Sequence, residues 1–449
     1  MKTIRDYLAS AAAAGDLVTI TKEVDSRIEA AAVINQFAPR PVLFERISGK
    51  VGRLAANIAA SRDHFAVALG LAPDAVMPAL IAALEQPRTP SLVSRAAAPC
   101  QEVVEAVVNL DLIPILTYFA SDPGPYVTSG VCIVMDRETG RNTAIHRLLQ
   151  LDQRSFAARL VENRGTDAAL KKLPPEQDLE IAICLGAPPQ VLLGAAISPA
   201  PGVDELAIAN ALAPTPLVAC ITKDLQVPAG SEWVLEGRVT HRLHTEGPFV
   251  DLTETMDFQR EQPVIEIDCI THRRDPIYYA LLPGGLEHKT LMGVPREPTI
   301  FAEVSKVCRC LDVYITPGGT SWLHAVVQIA KQSAEDGPRA IAAAFKGHPS
   351  LKHVVIVDED INLRDPMQVE WAIATRFQAD RNLVVIANAG SSSLDPSATH
   401  LAGQKSRGAK MGLDATIPWL HPDGTPRSEE QFADFRRVAF SGVRLEDYL

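Results

Sequence analysis

The chain has 449 residues, 47% hydrophobic and 22% charged, with a formal net charge of −11 and a pI of about 5.5. That length exceeds one ordinary core and predicts two or three domains. The acidic balance argues against a nucleic-acid surface as the main business. No apolar run is long enough to span a bilayer, and the start "MKTIRDYLAS" lacks the apolar core of a signal peptide, so a cytoplasmic chain with no membrane role is expected.

Along the first stretch, residues 1–102, helical and strand patterns alternate. "TIRDYLASAAAAG" reads as a helix stopped by Gly15, "LVTITKEV" as an alternating strand, "SRIEAAAVINQF" as a helix capped by Ser26, and "PVLFERI" as a short strand. The apolar run at 66–84 contains Pro and Asp and reads as helices of a soluble domain. This is an N-terminal α/β region carrying little chemistry.

From 103 to 304 short β-rich runs recur between Pro, Gly and Asp turns: "TSGVCIVMD", "NTAIHRLLQLD", "EIAICLG", "PLVACITKDLQVP", "SEWVLEGRVTH" and "PVIEIDCITHRRDPIYYALL". Many short strands at this spacing predict an antiparallel barrel or sandwich. Helices are expected near 156–172 and 203–212. In the last region, 305–449, "HAVVQIAKQSAEDGPRAIAAAFKG" reads as helices. "HVVIVDED" and "NLVVIANA" read as buried strands with the helix "MQVEWAIATRF" between them, a parallel α/β unit. The tail from Ser428 reads as a charged amphipathic helix that docks on a neighbouring subunit. The fold expected is thus α+β, a barrel flanked by two α/β regions.

The seven cysteines (Cys100, Cys132, Cys184, Cys220, Cys269, Cys308, Cys310) show neither a disulfide framework nor zinc spacing, and they read as reduced thiols. A more pointed feature is "TEGPFVDLTET", where Glu246 and Asp251 flank a Gly-Pro bend. Gly247 and Pro248 break any helix or ladder, so the segment can aim both acids at one place. In "RNTAIHRLLQ", Asn142 and Arg147 lie five apart on one strand and face opposite ways unless a bulge intervenes. Glu205 opens the apolar helix "ELAIANAL", where the helix dipole alone would explain it.

Six fragments, "DPGPYVTSGVCIVMDRETGRNTAIHR", "DELAIANAL", "VPAGSEWVLEGRV", "TEGPFVDLT", "VDEDINLRDPMQVEWAIATRF" and "MGLDAT", follow one another as they do in the UbiD family of decarboxylases. The chain resembles that family over nearly its whole length. The resemblance implies a split β-barrel domain that binds prenylated FMN, a C-terminal α/β dimerisation domain, and reversible decarboxylation of aromatic, heteroaromatic or other α,β-unsaturated acids. It places Arg147, Glu246 and Asp251 on the family's catalytic trio. The modified flavin would be the electron sink. A carboxylic acid would then return a proton to the carbon that lost CO₂, a role that falls to Asp251, with Glu246 as orienting or relay partner. An aspartate at its reference pKa of about 3.9 holds no proton at neutral pH. Burial and a neighbouring like charge are expected to favour the protonated acid.

The family also holds a divalent ion, usually manganese, through Asn, His and Glu beside the cofactor phosphate, with potassium nearby. Asn142 and Glu205 match two ligands, and Ala144 and Ile145 would line the flavin. The position expected to be His is Gly165, beside Arg164. Either Arg164 or Arg159 supplies charge against the phosphate, or the ion binds through two protein ligands and water. The segment "LPGGLEHKTLMGVPREP" follows the barrel at the family's substrate pocket, making His288 and Arg296 candidate donors to a polar group at the substrate's far end. That tilts the expected substrate toward a heteroaromatic acid. Asp395, Lys410 and Asp414 are read as structural. The expected partners are a carboxylic acid substrate, a flavin prenyltransferase as cofactor supplier, and a second copy of the chain. Two other classes fit the same fold: an ordinary FMN-dependent oxidoreductase, and a non-catalytic flavin-binding assembly protein.

Overall fold

A computed structural model of the chain describes residues 2–200, 202–401 and 404–438, together with 442, 444, 446 and 448. The backbone divides into two compact units, Met1–Pro298 and Thr299–Leu449.

The first unit begins with α1 (Ile4–Ala13), whose start is fixed by a capping box. Asp6 N–H donates to the Thr3 hydroxyl, and the Asp6 carboxylate accepts Thr3 N–H at 2.7 Å. β1 (Val18–Ile20), α2 (Glu29–Phe37), β2 (Val42–Phe44), β3 (Arg53–Ala56), α3 (Arg62–Leu69) and α4 (Val76–Glu85) follow. Ser26 does not cap α2. The cap is Ile28 at φ 68°, with no side-chain bond, while the Ser26 carbonyl accepts Thr117 N–H at 3.1 Å. A tertiary tie has overridden the local capping preference.

The strands of the next region are β4 (Val103–Val104), β5 (Tyr126–Asp136), β6 (Gly140–Gln150), β7 (Ser155–Ala158) and β8 (Leu179–Leu185). After β9 (Leu217–Ala219) and β10 (Gln226–Pro228) come β11 (Trp233–Glu246), β12 (Phe249–Val250), β13 (Met256–Asp257) and β14 (Arg260–His272). The order β11-β8-β5-β6-β7-β14 closes through β11–β14 pairing into a six-strand antiparallel barrel. Closure removes the sheet edges, and apolar residues such as Ile183, Leu235, Ile265 and Ile267 belong to one buried cluster. β15 (Ile277–Tyr279) leaves the barrel to join the sheet β1-β2-β3-β15, tying the N-terminal region to it.

Three helices interrupt the strands: α5 (Gly165–Lys171), α6 (Pro189–Ala196) and α7 (Glu205–Leu212). The helix expected over 156–172 is half wrong, because residues 155–158 form β7, wholly buried between β6 and β14. Barrel closure decides that segment. The first unit ends with α8 (Leu286–Gly293).

In the second unit β16 (Arg309–Ile315), β17 (His324–Ala330), β18 (His353–Asp358), β19 (Leu383–Gly390) and β20 (Arg407–Asp414) form a sheet of order β16-β17-β18-β20-β19. Its helices include α9 (Asp336–Gly347), α10 (Pro366–Arg376) and the short α11 (Glu429–Phe432), and a further helix, Glu297–Ser305, spans the division between the units. "HAVVQIA" is therefore a strand, not a helix; a short apolar run cannot be assigned by periodicity alone. β20 inserts between β18 and β19, so β19 pairs antiparallel at the sheet edge and Val385 is 62% exposed rather than buried. The tail carries one helical turn and a 3-10 turn at Ala433–Phe435 instead of a long helix; residues 439–441, 443, 445, 447 and 449 lie outside the described residues. Asp395 pairs with Lys352 at 3.1 Å, Lys410 donates to the Pro349 carbonyl at 2.7 Å, and Asp414 accepts Thr416 N–H at 3.1 Å. Local ties account for all three.

One glycine tests barrel closure directly. Gly237 sits at a register shift between β11 and β14, where an added Cβ would clash with the Glu266 carbonyl. Gly237→Ala is expected to cost about 1–3 kcal/mol, because backbone atoms cannot step aside as a side chain can. Equilibrium urea unfolding measures this.

Candidate active site

The trio is assembled by the barrel. Arg147 lies on β6, opposite the point where β5 carries one extra residue between Val127 and Gly130. The extra residue lies on β5 and not on β6, so Asn142 and Arg147 keep the opposite faces that their spacing on one strand implies. Glu246 ends β11, and Gly247 turns the chain at φ 90° into the β12–β13 hairpin, whose tip holds Asp251. The hairpin turn is fixed by Asp251 N–H to Thr255 O at 3.0 Å.

Arg147 grips both oxygens of Glu246, Nε to Oε1 at 2.8 Å and Nη2 to Oε2 at 2.9 Å, and donates through Nη1 to Asp251 Oδ2 at 2.7 Å. Nη2 also reaches Asp257 Oδ2 at 2.9 Å. Asp257 is an addition that the sequence reading does not contain. It is clamped in turn by Arg260, Nη1 to Oδ2 at 2.8 Å and Nη2 to Oδ1 at 3.0 Å. Glu246 Oε1 further accepts the Tyr126 hydroxyl at 3.1 Å, and the Arg147 guanidinium lies 4.7 Å from the Phe249 ring centroid. Burial alone would depress Arg147, but its Glu246 bonds and the charges of Glu246, Asp251 and Asp257 hold it above its ordinary value. Burial also opposes ionisation of Asp257, yet Arg260 and Arg147 keep it below the usual carboxylate range.

The three carboxylates differ in access. The side chain of Glu246 is 0% exposed, Asp257 7% and Asp251 17%. Only Asp251 is open enough to meet a ligand while still held by the arginine.

His288 joins this cluster. Its Nδ1 accepts Gly284 N–H at 3.2 Å, which leaves Nε2 to carry the proton of a neutral ring. Burial lowers its pKa, Asp251 opposes that, and Arg147 and Lys289 add to it. The preceding residue, Glu287, is buried and anchors α8 by accepting Asn57 N–H at 2.8 Å and Ala59 N–H at 2.7 Å. Burial pushes its carboxyl up to about 7. Arg296 does not bond the trio; it donates to Ser198 Oγ at 2.8 Å, and burial with the nearby charge of Arg164 lowers it to about 10.

A second cluster surrounds Asn142. Its amide nitrogen lies 3.5 Å from Glu205 Oε1, while its buried Oδ1 has no hydrogen-bond partner among the described residues. Glu205 accepts Thr143 N–H at 2.9 Å, and burial still pushes it up to about 7. A Cβ on Gly165 would lie 2.7 Å from Asn142 Oδ1, so any side chain at 165 would point at this amide. Residues 142, 165 and 205 do converge. An orphaned acceptor beside an under-compensated carboxylate suits a cation. Among the described residues, however, no group of three or more His, Cys, Asp or Glu side chains is placed to hold a metal. Arg159 is engaged by Glu162 at 3.2 Å, whereas Arg164 is exposed at the start of α5. Between the clusters, Ala144 and Ile145 pair with Cys132 and Val131 on β5.

Family models for the N-terminal, Rift-related and C-terminal domains of 3-octaprenyl-4-hydroxybenzoate carboxy-lyase match residues 8–84, 91–286 and 289–415. The chain belongs to the UbiD family. Its enzyme class is carboxy-lyase. An anhydromevalonate phosphate decarboxylase of Methanosarcina mazei is 40% identical over 429 residues, covering 95% of this chain and 99% of that protein. The UbiD-class enzyme HmfF of Pelotomaculum thermopropionicum, solved with FMN, matches at 36% identity and TM-score 0.91 over the whole of both chains. An evolved dimeric form of HmfF, solved with prenylated FMN, matches at 35% identity and TM-score 0.89, again over both full chains.

His146, next to Arg147, is another residue absent from the sequence reading. Its Nε2 lies 3.0 Å from Thr166 Oγ1, and desolvation, with Arg159 adding to it, lowers its pKa from 6.5 to about 4. Strand alternation could have paired it with Asn142. Since the unfolded chain binds a proton here more readily than the folded one, the stabilisation is complete above about pH 6.5. It is lost as pH falls toward 4, by about 1–3 kcal/mol. His146→Gln should flatten that slope in urea titrations taken across the range.

Proposed function

We propose that the protein decarboxylates an α,β-unsaturated carboxylic acid with prenylated FMN as its cofactor, Asp251 delivering the proton to the carbon that loses CO₂. The observation carrying this reading is the Arg147 cluster, in which two carboxylates are locked and the third, Asp251, is partly open. When bound, prenylated FMN supplies the sink for the electrons of the broken C–C bond. Arg147 holds Asp251 at a fixed place on the hairpin tip, and Glu246, fixed by Tyr126, orients that guanidinium. His288 offers an N–H donor beside Asp251. Asn142 and Glu205 would hold a divalent ion at the cofactor's phosphate end, and loading would depend on a flavin prenyltransferase.

We further infer that the substrate carries a second anionic group remote from the reacting carboxyl. Arg296 and Arg164 lie close enough for the charge of Arg164 to depress Arg296, and an anion between them would relieve that repulsion. The Methanosarcina relative is named for a phosphorylated acid, which agrees with this. The heteroaromatic ring suggested by the pocket polarity is therefore not required; charge at the far end is the stronger criterion.

Asp251→Asn is expected to fold and bind flavin yet lose about a hundred-fold or more in turnover. Assaying CO₂ release from unsaturated acids with and without a distal phosphate or carboxylate checks both parts. Near-normal turnover by this variant would remove Asp251 from the chemistry. Arg296→Ala should raise KM more than it lowers kcat, and only for the doubly anionic acids.

The cation is tested separately. Chelation or Glu205→Ala should release flavin, measured by absorbance after desalting, while Arg164→Ala should not. The opposite pattern would mean that Arg164 has taken over from the ion.

A further inference from the structure

The Arg147 cluster carries more negative charge than its trio needs. Three carboxylates (Glu246, Asp251 and Asp257) converge on one guanidinium, and of the three a second guanidinium, Arg260, bonds Asp257. Counted as ions, these five groups sum to −1, and they become neutral when one proton is added. Glu246 is sealed and gripped bidentately, while Asp257 is held by two arginines. Asp251, with one oxygen on Arg147 and the other accepting Leu252 N–H at 2.6 Å, is the least enclosed of the three carboxylates.

The clamp is built by register. Arg260 is the cross-strand partner of Glu246 at the end of β11, and Asp257 is the hairpin partner of Phe249. Asp257 and Arg260 thus join the hairpin carrying Asp251 to the barrel carrying Arg147, and the bonds they make to the cluster run through Arg147 and Asp257.

We propose that Asp257 and Arg260 are positioning residues that set how readily Asp251 takes up the proton it delivers. Asp257 draws off part of Arg147's positive charge, which favours a protonated Asp251. Arg260 offsets Asp257 and limits that effect. This rests on the reading that Asp251 is the proton donor. The other charged groups facing Asp251 are His288 and Lys289 on α8 and Glu254 at the hairpin tip, the last already paired with Lys289. Tyr126 on β5 faces the cluster through Glu246. His288, kept neutral by burial, titrates on the acid side. On the donor reading, delivery needs a protonated Asp251, so the limb of kcat that falls toward high pH is the one to follow.

The test is the pH dependence of kcat for the flavin-loaded protein and three variants. Asp257→Asn should move the alkaline limb to lower pH, and Arg260→Gln should move it to higher pH, each by roughly one unit. Arg260→Lys keeps the charge and should leave the limb in place even if kcat falls. Opposite shifts from two members of one ion pair are not produced by mere loss of packing. Limbs that stay put, or move the same way, would overturn the proposal, and if one variant fails to fold the direction of the other decides. Asp251→Asn separates the two ideas. If it retains turnover, the donor reading fails; if it is inactive and the limbs of the others do not move, only the role of Asp257 and Arg260 fails.

Discussion

A buried guanidinium must be neutralised where it sits, and in this protein that requirement organises the site. Arg147 is 9% exposed and would be strongly destabilising without its carboxylates; removing one partner of such a buried pair typically costs about 3–5 kcal/mol. The three acids come from the end of β11, from the β12–β13 hairpin tip and from that hairpin's return strand. The barrel must therefore close, and the Gly247 bend must form, before the charges can meet. Fold and chemistry share one constraint.

The same constraint explains the division of labour among chemically similar groups. Glu246 is sealed against Tyr126. Asp257 is shared between two arginines. Asp251 keeps access because it sits on a two-strand hairpin tip outside the barrel ladder. Nearby, α8 brings His288 to the cluster because Glu287 is buried against the backbone of Asn57 and Ala59, so the N-terminal region helps to position a residue beside Asp251.

What is legible in the chain is what depends on local chemistry. The Gly-Pro bend marks Glu246 and Asp251, and the ordered fragments place Arg147, Asn142 and Glu205. Asp257 and Arg260 are illegible because they reach Arg147 through hairpin pairing and cross-strand register, which a single sequence does not state. The run "HAVVQIA" reads as a helix because seven apolar-rich residues fit either period, and its pairing with β16 and β18 decides for a strand. "NLVVIANA" reads as a buried strand on hydrophobicity alone; the insertion of β20 leaves it at the edge. Gly165 in place of the expected histidine is legible; that the buried Asn142 Oδ1 has no hydrogen-bond partner among the described residues is not, because it depends on packing.

The role of the Arg147 cluster stands or falls on a proton moving between Asp251 and carbon. The most direct measurement isolates that step from CO₂ loss: the flavin-loaded protein is incubated in D₂O with the alkene product of its reaction, and exchange at the carbon that carried the carboxyl is followed by NMR. Wild-type protein should exchange that hydrogen, and Asp251→Asn should do so about a hundred-fold more slowly or worse. Equal exchange by the two proteins would contradict the assignment of Asp251 and, with it, the part of the Arg147 cluster in proton delivery.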